Sequence, residues 1–162
     1  MQSLDEYYQA HAPEIYRYLY SLCRRREVAE DILQETFYQA YHHLESFQGI
    51  SLRPWLFRVA RNAFIDHVRK ESRTASKDPA YFQDTLQQPS FEGQLVAQER
   101  QKEVFRQIEG LPDKQKEALL LFAVHQLSYQ DIAQVLSVSV ASAKSLIFRA
   151  RAALKAQSRD SG

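Results

Sequence analysis

Leu4, Tyr8, Ile15, Tyr18, Leu19 and Leu22 recur at steps of three and four residues, which predicts a first helix from about Leu4 to Cys23, with Pro13 as the place for a bend. The basic run Arg24-Arg25-Arg26 ends it. A second period through Val28, Ala29, Ile32, Leu33, Phe37, Ala40, Tyr41 and Leu44 predicts a helix to about Ser46, and Phe47-Gln48-Gly49-Ile50-Ser51 then reads as a loop. Pro54 suits the first turn of a third helix, with Leu56, Val59, Ala60, Ala63 and Phe64 on its apolar side and an end near Glu71. Between Ser72 and Phe91 the period dissolves among Ser, Thr, Asp, Gln, Pro79 and Pro89, so this stretch reads as a linker. Beyond it, Leu95, Val96, Val104, Phe105 and Ile108 fit a helix ending at Gly110, and Pro112 with Asp113 opens another through Leu119, Leu120, Phe122 and Ala123. Two shorter helices follow, from about Ser128 to Leu136 and from Val140 to Gln157.

The pattern therefore predicts an all-α chain of two small helical domains, residues 1–73 and 93–162, joined by a flexible linker over 74–92. Composition agrees: 44% apolar residues can furnish real cores, and 4 Gly with 5 Pro leave little material for hairpin turns.

The formal net charge of +1 argues neither for nor against a polyanionic partner, but its distribution does. Arg53, Arg58, Arg61, Arg69, Lys70 and Arg73 face only Asp66 and Glu71, a local excess of about +4. Lys144, Arg149, Arg151, Lys155 and Arg159 face only Asp160, again about +4. Cys23 is the single cysteine, so no intramolecular disulfide or multi-cysteine metal site forms; it suits a buried apolar position, with a redox role as the alternative. The first ten residues carry acids and tyrosines where a signal peptide needs a basic start and an apolar core, and no run reaches the length of a membrane span. The expectation is a cytoplasmic protein with no membrane insertion, metal or cofactor.

Ser128 to Ile147 has the spacing of a helix-turn-helix. Small Ala133 lets two helices approach, and Ile132, Leu136, Val138, Ala143 and Ile147 fill the space between them. Polar residues of the second helix stay free for a major groove: Ser142, Lys144, Ser145 and Arg149, with Arg151 and Lys155 suited to phosphates. A pair of short amphipathic helices with solvated charges is the plainer alternative. In the N-terminal half, Asp31, Gln34, Glu35 and Tyr38 share one side of the second helix, an acidic, amide-bearing face opposite Ile32, Leu33 and Phe37.

Asp31-Ile32-Leu33-Gln34-Glu35-Thr36-Phe37 resembles the D-x-x-Q-E-x-F signature of extracytoplasmic-function (ECF) sigma factors of the sigma-70 family. Pro54-Trp55-Leu56-Phe57-Arg58-Val59-Ala60-Arg61-Asn62, with Asp66 and Arg69, resembles their W-L-x-x-I-A-R-N-x-x-x-D-x-x-R helix. Leu111-Pro112, Ser128 to Ala133 and Phe148-Arg149-Ala150-Arg151 are similar to the family's C-terminal module, and the three motifs stand in the family's order and spacing.

The resemblance implies a subunit that binds core RNA polymerase, recognises the minus-35 and minus-10 promoter elements and assists strand opening. It implies that Asp31, Gln34, Glu35 and Phe37 bind the β′ clamp of the polymerase. Phe47, Trp55, Arg58, Arg61, Asn62 and Arg69 would serve the minus-10 element, where a base is flipped from the duplex into a pocket near Phe47 to Ser51. Aromatic surface, donors and arginines can together offset the cost of extruding a base, and Trp55 is equally suited to anchoring a core. Ser142, Lys144, Ser145, Arg149 and Arg151 would read the minus-35 element. An anti-sigma factor, often membrane-anchored in this family, is a further implied partner. The chain departs from the family at Ala141-Ser142-Ala143-Lys144-Ser145-Leu146, where Gly-Thr-Val-Arg/Lys-Ser-Arg is usual; Leu146 cannot make the bidentate contact an arginine makes to guanine.

Two other classes compete. A conventional DNA-binding regulator would use the same helix-turn-helix but has no need of the Asp31 to Phe37 face or the Trp55 constellation. An enzyme is disfavoured, since His42 and His43 point about 100° apart on a helix and no HExxH, phosphate-cradling glycine loop or nucleophile setting is present.

Overall fold

The computed structural model describes residues 4–43, 52–74 and 98–160, which form seven helices and no strand. They are α1 (Leu4–Cys23), α2 (Arg26–His43), α3 (Leu52–Thr74), α4 (Gln98–Glu109), α5 (Asp113–Ala123), α6 (Tyr129–Leu136) and α7 (Val140–Asp160). They belong to two compact units, Met1–Gln88 and Pro89–Gly162. The expected linker beyond Thr74, the Phe47 to Ser51 loop and the last turn expected of α2, out to Ser46, lie outside the described residues.

In the first unit α1, α2 and α3 pack mutually. α1 continues through Pro13 and stops where Arg24 takes a left-handed conformation (φ 61°), its N–H donating to the Tyr20 carbonyl at 2.8 Å. Arg26, read from sequence as part of that turn, instead opens α2, where its Nε donates to Glu30 one turn on at 3.3 Å. The core is Ile15, Tyr18 and Leu19 from α1, Ala29, Ile32, Leu33, Thr36, Phe37 and Ala40 from α2, and Leu56, Phe57, Ala60 and Ala63 from α3. Phe57 was not expected in this stripe; it is fully buried, edge-on to Tyr18 at 5.1 Å, while Val59 and Phe64 are only half-buried. Thr36 is the polar member, and its hydroxyl is satisfied by donating to the Ile32 carbonyl at 2.7 Å. α3 runs to Thr74, three residues beyond the expected end.

In the second unit α7 is the long member, packed against α4, α5 and α6. Ala118, Leu121, Ile132, Val135, Ala143 and Ala150 are completely buried, and Leu111, Leu119 and Ala150 make a second cluster with Ile108, Ala153 and Leu154 against it. Ser128 caps α6 by accepting from the Asp131 N–H at 3.1 Å. Ser137 closes it in the left-handed region (φ 56°, ψ 47°), with the Val138 N–H reaching back to the Ala133 carbonyl at 3.0 Å. Ser139 then caps α7 through its hydroxyl on the Ser142 N–H at 3.0 Å. These serine-defined turns set the angle between the two helices of the helix-turn-helix.

Gly110 ends α4 without a left-handed turn, and a Cβ there would stand 3.6 Å from the Gln107 carbonyl oxygen, an ordinary contact. Gly110→Ala should therefore stabilise the second unit by about 0.4–1 kcal/mol through the unfolded chain, raising its thermal midpoint by about 2–6 °C. A lowered midpoint would contradict the backbone conformation at this position.

Candidate functional site

The acidic face of α2 is where the sequence places it. Asp31, Gln34 and Glu35 are exposed; Asp31 and Gln34 make no side-chain hydrogen bond among the described residues, and Glu35 accepts only from Gln39, at 3.0 Å. Tyr38 extends the face, 62% exposed. Phe37 does not belong to it. Its ring is buried edge-on to Tyr8, 4.9 Å away, because its position on the helix faces the core; it holds α2 in place and cannot be offered to a partner.

On α3, Trp55, Arg58, Asn62 and Arg69 fall in a sector of about 60° opposite buried Ala60, at successive spacings of three, four and seven. Arg58, Asn62 and Arg69 are exposed, and neither arginine forms an ion pair among the described residues. Trp55 is half-buried, which suits a ring that packs on one side and is open on the other. Arg61 stands apart from this row, half-buried on the flank of the helix. Phe47 lies outside the described residues. The start of α3 is pinned to α1 by Arg53, whose Nε donates to Glu14 at 2.9 Å and whose second nitrogen donates to the other carboxylate oxygen. Its guanidinium also lies 5.7 Å from the centre of the Phe57 ring. His11, near this pair, has its pKa lowered chiefly by burial, with Glu14 opposing and Arg53 assisting.

On α7 the five expected residues divide into two rows. Ser142, Ser145 and Arg149 project away from buried Ala143, Ile147 and Ala150, whereas Lys144 and Arg151 run along one flank with Lys155. All are exposed, and none of Lys144, Arg149, Arg151 and Lys155 forms an ion pair among the described residues. The Ser142 hydroxyl accepts from Ser139 at 3.0 Å, which leaves its own proton to donate. Leu146 is half-buried on the opposite flank, so the departure from an arginine adds to the packed edge of the helix.

Three residues here were missed by the sequence reading. Phe148 is 74% exposed and lies beside the Lys144 and Arg151 flank; an aromatic on the polar side of a helical wheel was the signal. Phe122 and Tyr129, counted as periodic apolar positions or not at all, stack in parallel at 5.3 Å with 1° between planes. The Lys144 ammonium lies 5.4 Å from the centre of the Tyr129 ring and the Arg151 guanidinium 4.8 Å from that of Phe122.

An exposed acidic helix face, a row of arginines with a tryptophan and an amide, and a helix-turn-helix with unneutralised bases thus occur on one chain. Residues 7–74 match the Sigma-70 region 2 family, and residues 99–154 match Sigma-70, region 4. The ECF RNA polymerase sigma factor SigM of Bacillus subtilis is 41% identical over 159 residues, spanning 95% of this chain and 94% of that one. The chain belongs to the ECF sigma factors. The RNA polymerase sigma factor YlaC of the same organism is 32% identical, over 94% and 90% of the two chains. Among solved structures, the sigma factor RpoE of Bartonella quintana, determined in complex with the anti-sigma factor NepR, aligns with a TM-score of 0.74 at 26% identity over 93% of each chain. CnrH, in complex with the cytosolic domain of CnrY, shares the fold with a TM-score of 0.69 at 22% identity, over 98% of this chain and 89% of that one. Promoter recognition and transcription initiation with RNA polymerase are the function of ECF sigma factors. No single described helix is long and apolar enough to cross a membrane, and no group of three metal-ligating side chains occurs among the described residues.

The Glu14–Arg53 pair is partly exposed, so its loss is discounted for screening. Arg53→Met, which keeps the apolar stem, should cost the first unit about 1 kcal/mol, read as a lower urea midpoint. An unchanged midpoint would mean that α3 is seated by its apolar stripe alone.

Proposed function

We propose that this ECF sigma factor binds the β′ clamp of core polymerase through Asp31, Gln34 and Glu35, with Tyr38 adding apolar surface. The observation that carries this is the lack of internal partners for Asp31 and Gln34 beside exposed Glu35, since carboxylates and amides left unpaired on a helix face can accept from basic side chains of a partner. In this reading residues 1–73 form the polymerase and minus-10 domain, 74–92 the linker and 93–162 the minus-35 domain. A linker of about twenty residues reaches up to about 60 Å when extended, and joining two weak contacts raises the effective concentration of the second.

The α3 row would meet the minus-10 element. Asn62 would pair with a base edge, Trp55 would offer a ring face to an unstacked base, and Arg58 and Arg69 would neutralise phosphates; Arg61 would serve the same element by its place in the motif, and Phe47 by its place in the loop before it. On α7, Ser142, Ser145 and Arg149 would enter the major groove, with Lys144 and Arg151 on the phosphates alongside. Phe148 would add an apolar contact of the kind a thymine methyl accepts. The chain would act in the cytoplasm and without catalysis of its own. An anti-sigma factor would hold it inactive, as a partner of that class accompanies the Bartonella quintana relative.

Fluorescence anisotropy of the labelled chain with core polymerase tests the first contact. Saturable binding is expected, weakened at least about tenfold by Gln34→Ala with Glu35→Lys. Equal affinity in the double variant would remove the clamp assignment, and no binding by the folded wild type would leave a conventional helix-turn-helix regulator. Asn62→Ala should impair promoter opening, followed by permanganate reactivity of unpaired thymines, more than initial binding; unchanged opening would refute its role.

A further inference from the structure

We propose that Phe122 and Tyr129 are positioning residues for phosphate binding: their stacked rings hold Lys144 and Arg151 in place on the duplex-facing flank of α7 without neutralising them. The proposal rests on the reading of those two cations as duplex contacts. Lys144 and Arg151 are seven residues apart, two helical turns, and therefore share a flank. Each rests on one ring of a pair contributed by α5 and α6, at 5.4 Å for Lys144 on Tyr129 and 4.8 Å for Arg151 on Phe122. The rings are themselves stacked at 5.3 Å, so the four side chains form one continuous ladder across three helices.

The chemistry of the support matters. Elsewhere in the chain long basic side chains are paired with carboxylates, Arg26 with Glu30 at 3.3 Å in the first unit and Lys116 with Glu109 at 2.9 Å in the second. An ion pair orders a cation but cancels its charge, and it must be broken before a phosphate can bind. A ring face orders a cation through its quadrupole and leaves the net charge intact. A guanidinium resting on a ring keeps its N–H edge free, and an ammonium keeps donors pointing away from the ring. Lys144 and Arg151 form no ion pair among the described residues, and both are exposed. Their rotamer freedom is thus partly restricted before DNA arrives, which lowers the entropic cost of each phosphate contact.

The full chain is titrated with a fluorescein-labelled, mixed-sequence duplex three helical turns long across a series of salt concentrations. Lys144→Gln with Arg151→Gln should weaken binding and flatten the slope of log affinity on log salt by about 1–2. No change in either would overturn the reading of these cations as duplex contacts, and the proposal with it. Phe122→Leu with Tyr129→Leu, which keeps apolar volume and removes the rings, should weaken binding about 3–10-fold in the wild-type background and less than about twofold in the double-glutamine background. No loss in the wild-type background, or an equal loss in both, would overturn the positioning role while leaving the duplex contacts standing. Phe122→Tyr with Tyr129→Phe, which keeps both rings, should bind as the wild type does; a loss equal to that of the double-leucine variant would count against a ring-specific effect. Should the leucine variant not fold, ring-current shifts decide: in the wild-type chain the Lys144 ε-methylene and Arg151 δ-methylene protons are expected upfield of their random-coil positions, and their absence overturns the ladder.

Discussion

The close approach of helices over small buried residues is the constraint on which the exposed chemistry depends. Ala60 and Ala63 in α3, Ala133 in α6, and Ala143 and Ala150 in α7 are all buried, three of them completely. Each lies where its helix meets a neighbour, and a larger side chain there would force the helix outward at a cost of about 1–3 kcal/mol. A helix has one azimuth. Once its small, apolar stripe is seated, the stripe half a turn away is committed to solvent, and this is how Trp55, Arg58, Asn62 and Arg69 share one face and Ser142, Ser145 and Arg149 another.

The charges follow the same logic of separation. A chain with a net charge of +1 carries no long-range field to speak of, yet its excess of bases is concentrated on α3 and α7. Some acids are used internally, as where Glu14 grips Arg53 at the root of α3 and Glu109 takes Lys116 between α4 and α5. Lys144, Arg149, Arg151 and Lys155 of α7 form no ion pair among the described residues, and two of them lean on rings instead. In the proposed reading such a surface would offer a phosphate backbone unneutralised charges, with an affinity that falls with salt as counterions are released.

The two ends of the helix-turn-helix turn are serines doing different work. Ser137 accepts a left-handed backbone that glycine would adopt at lower cost, while Ser139 spends its hydroxyl on the Ser142 N–H and its proton on the Ser142 hydroxyl. The start of the recognition helix is thereby rigid without the glycine usual to the family at position 141. Leu146, the other departure, is absorbed into the packed edge of α7, so the exposed row of Ser142, Ser145 and Arg149 is short and rich in serine.

Much of this was legible from one sequence. The order of the helices and the two basic clusters follow from a period of three to four residues and from charges counted over neighbouring positions. At Phe37 the period and the motif disagree: the apolar period puts it on the core side of α2, the family motif assigns it to a partner, and its burial against Tyr8 agrees with the period. Phe57 errs the other way, buried against Tyr18 though the period favoured Val59 and Phe64. The ladder of Phe122, Tyr129, Lys144 and Arg151 joins residues up to 29 positions apart, and no local pattern records it. What the sequence by itself determined was the helices, their order and the sign of the charge each carries, because these depend on residues close along the chain. Which aromatic is core and which is surface, and which cations are held by rings, was decided only by the tertiary structure, because each depends on the azimuth at which one helix packs against another.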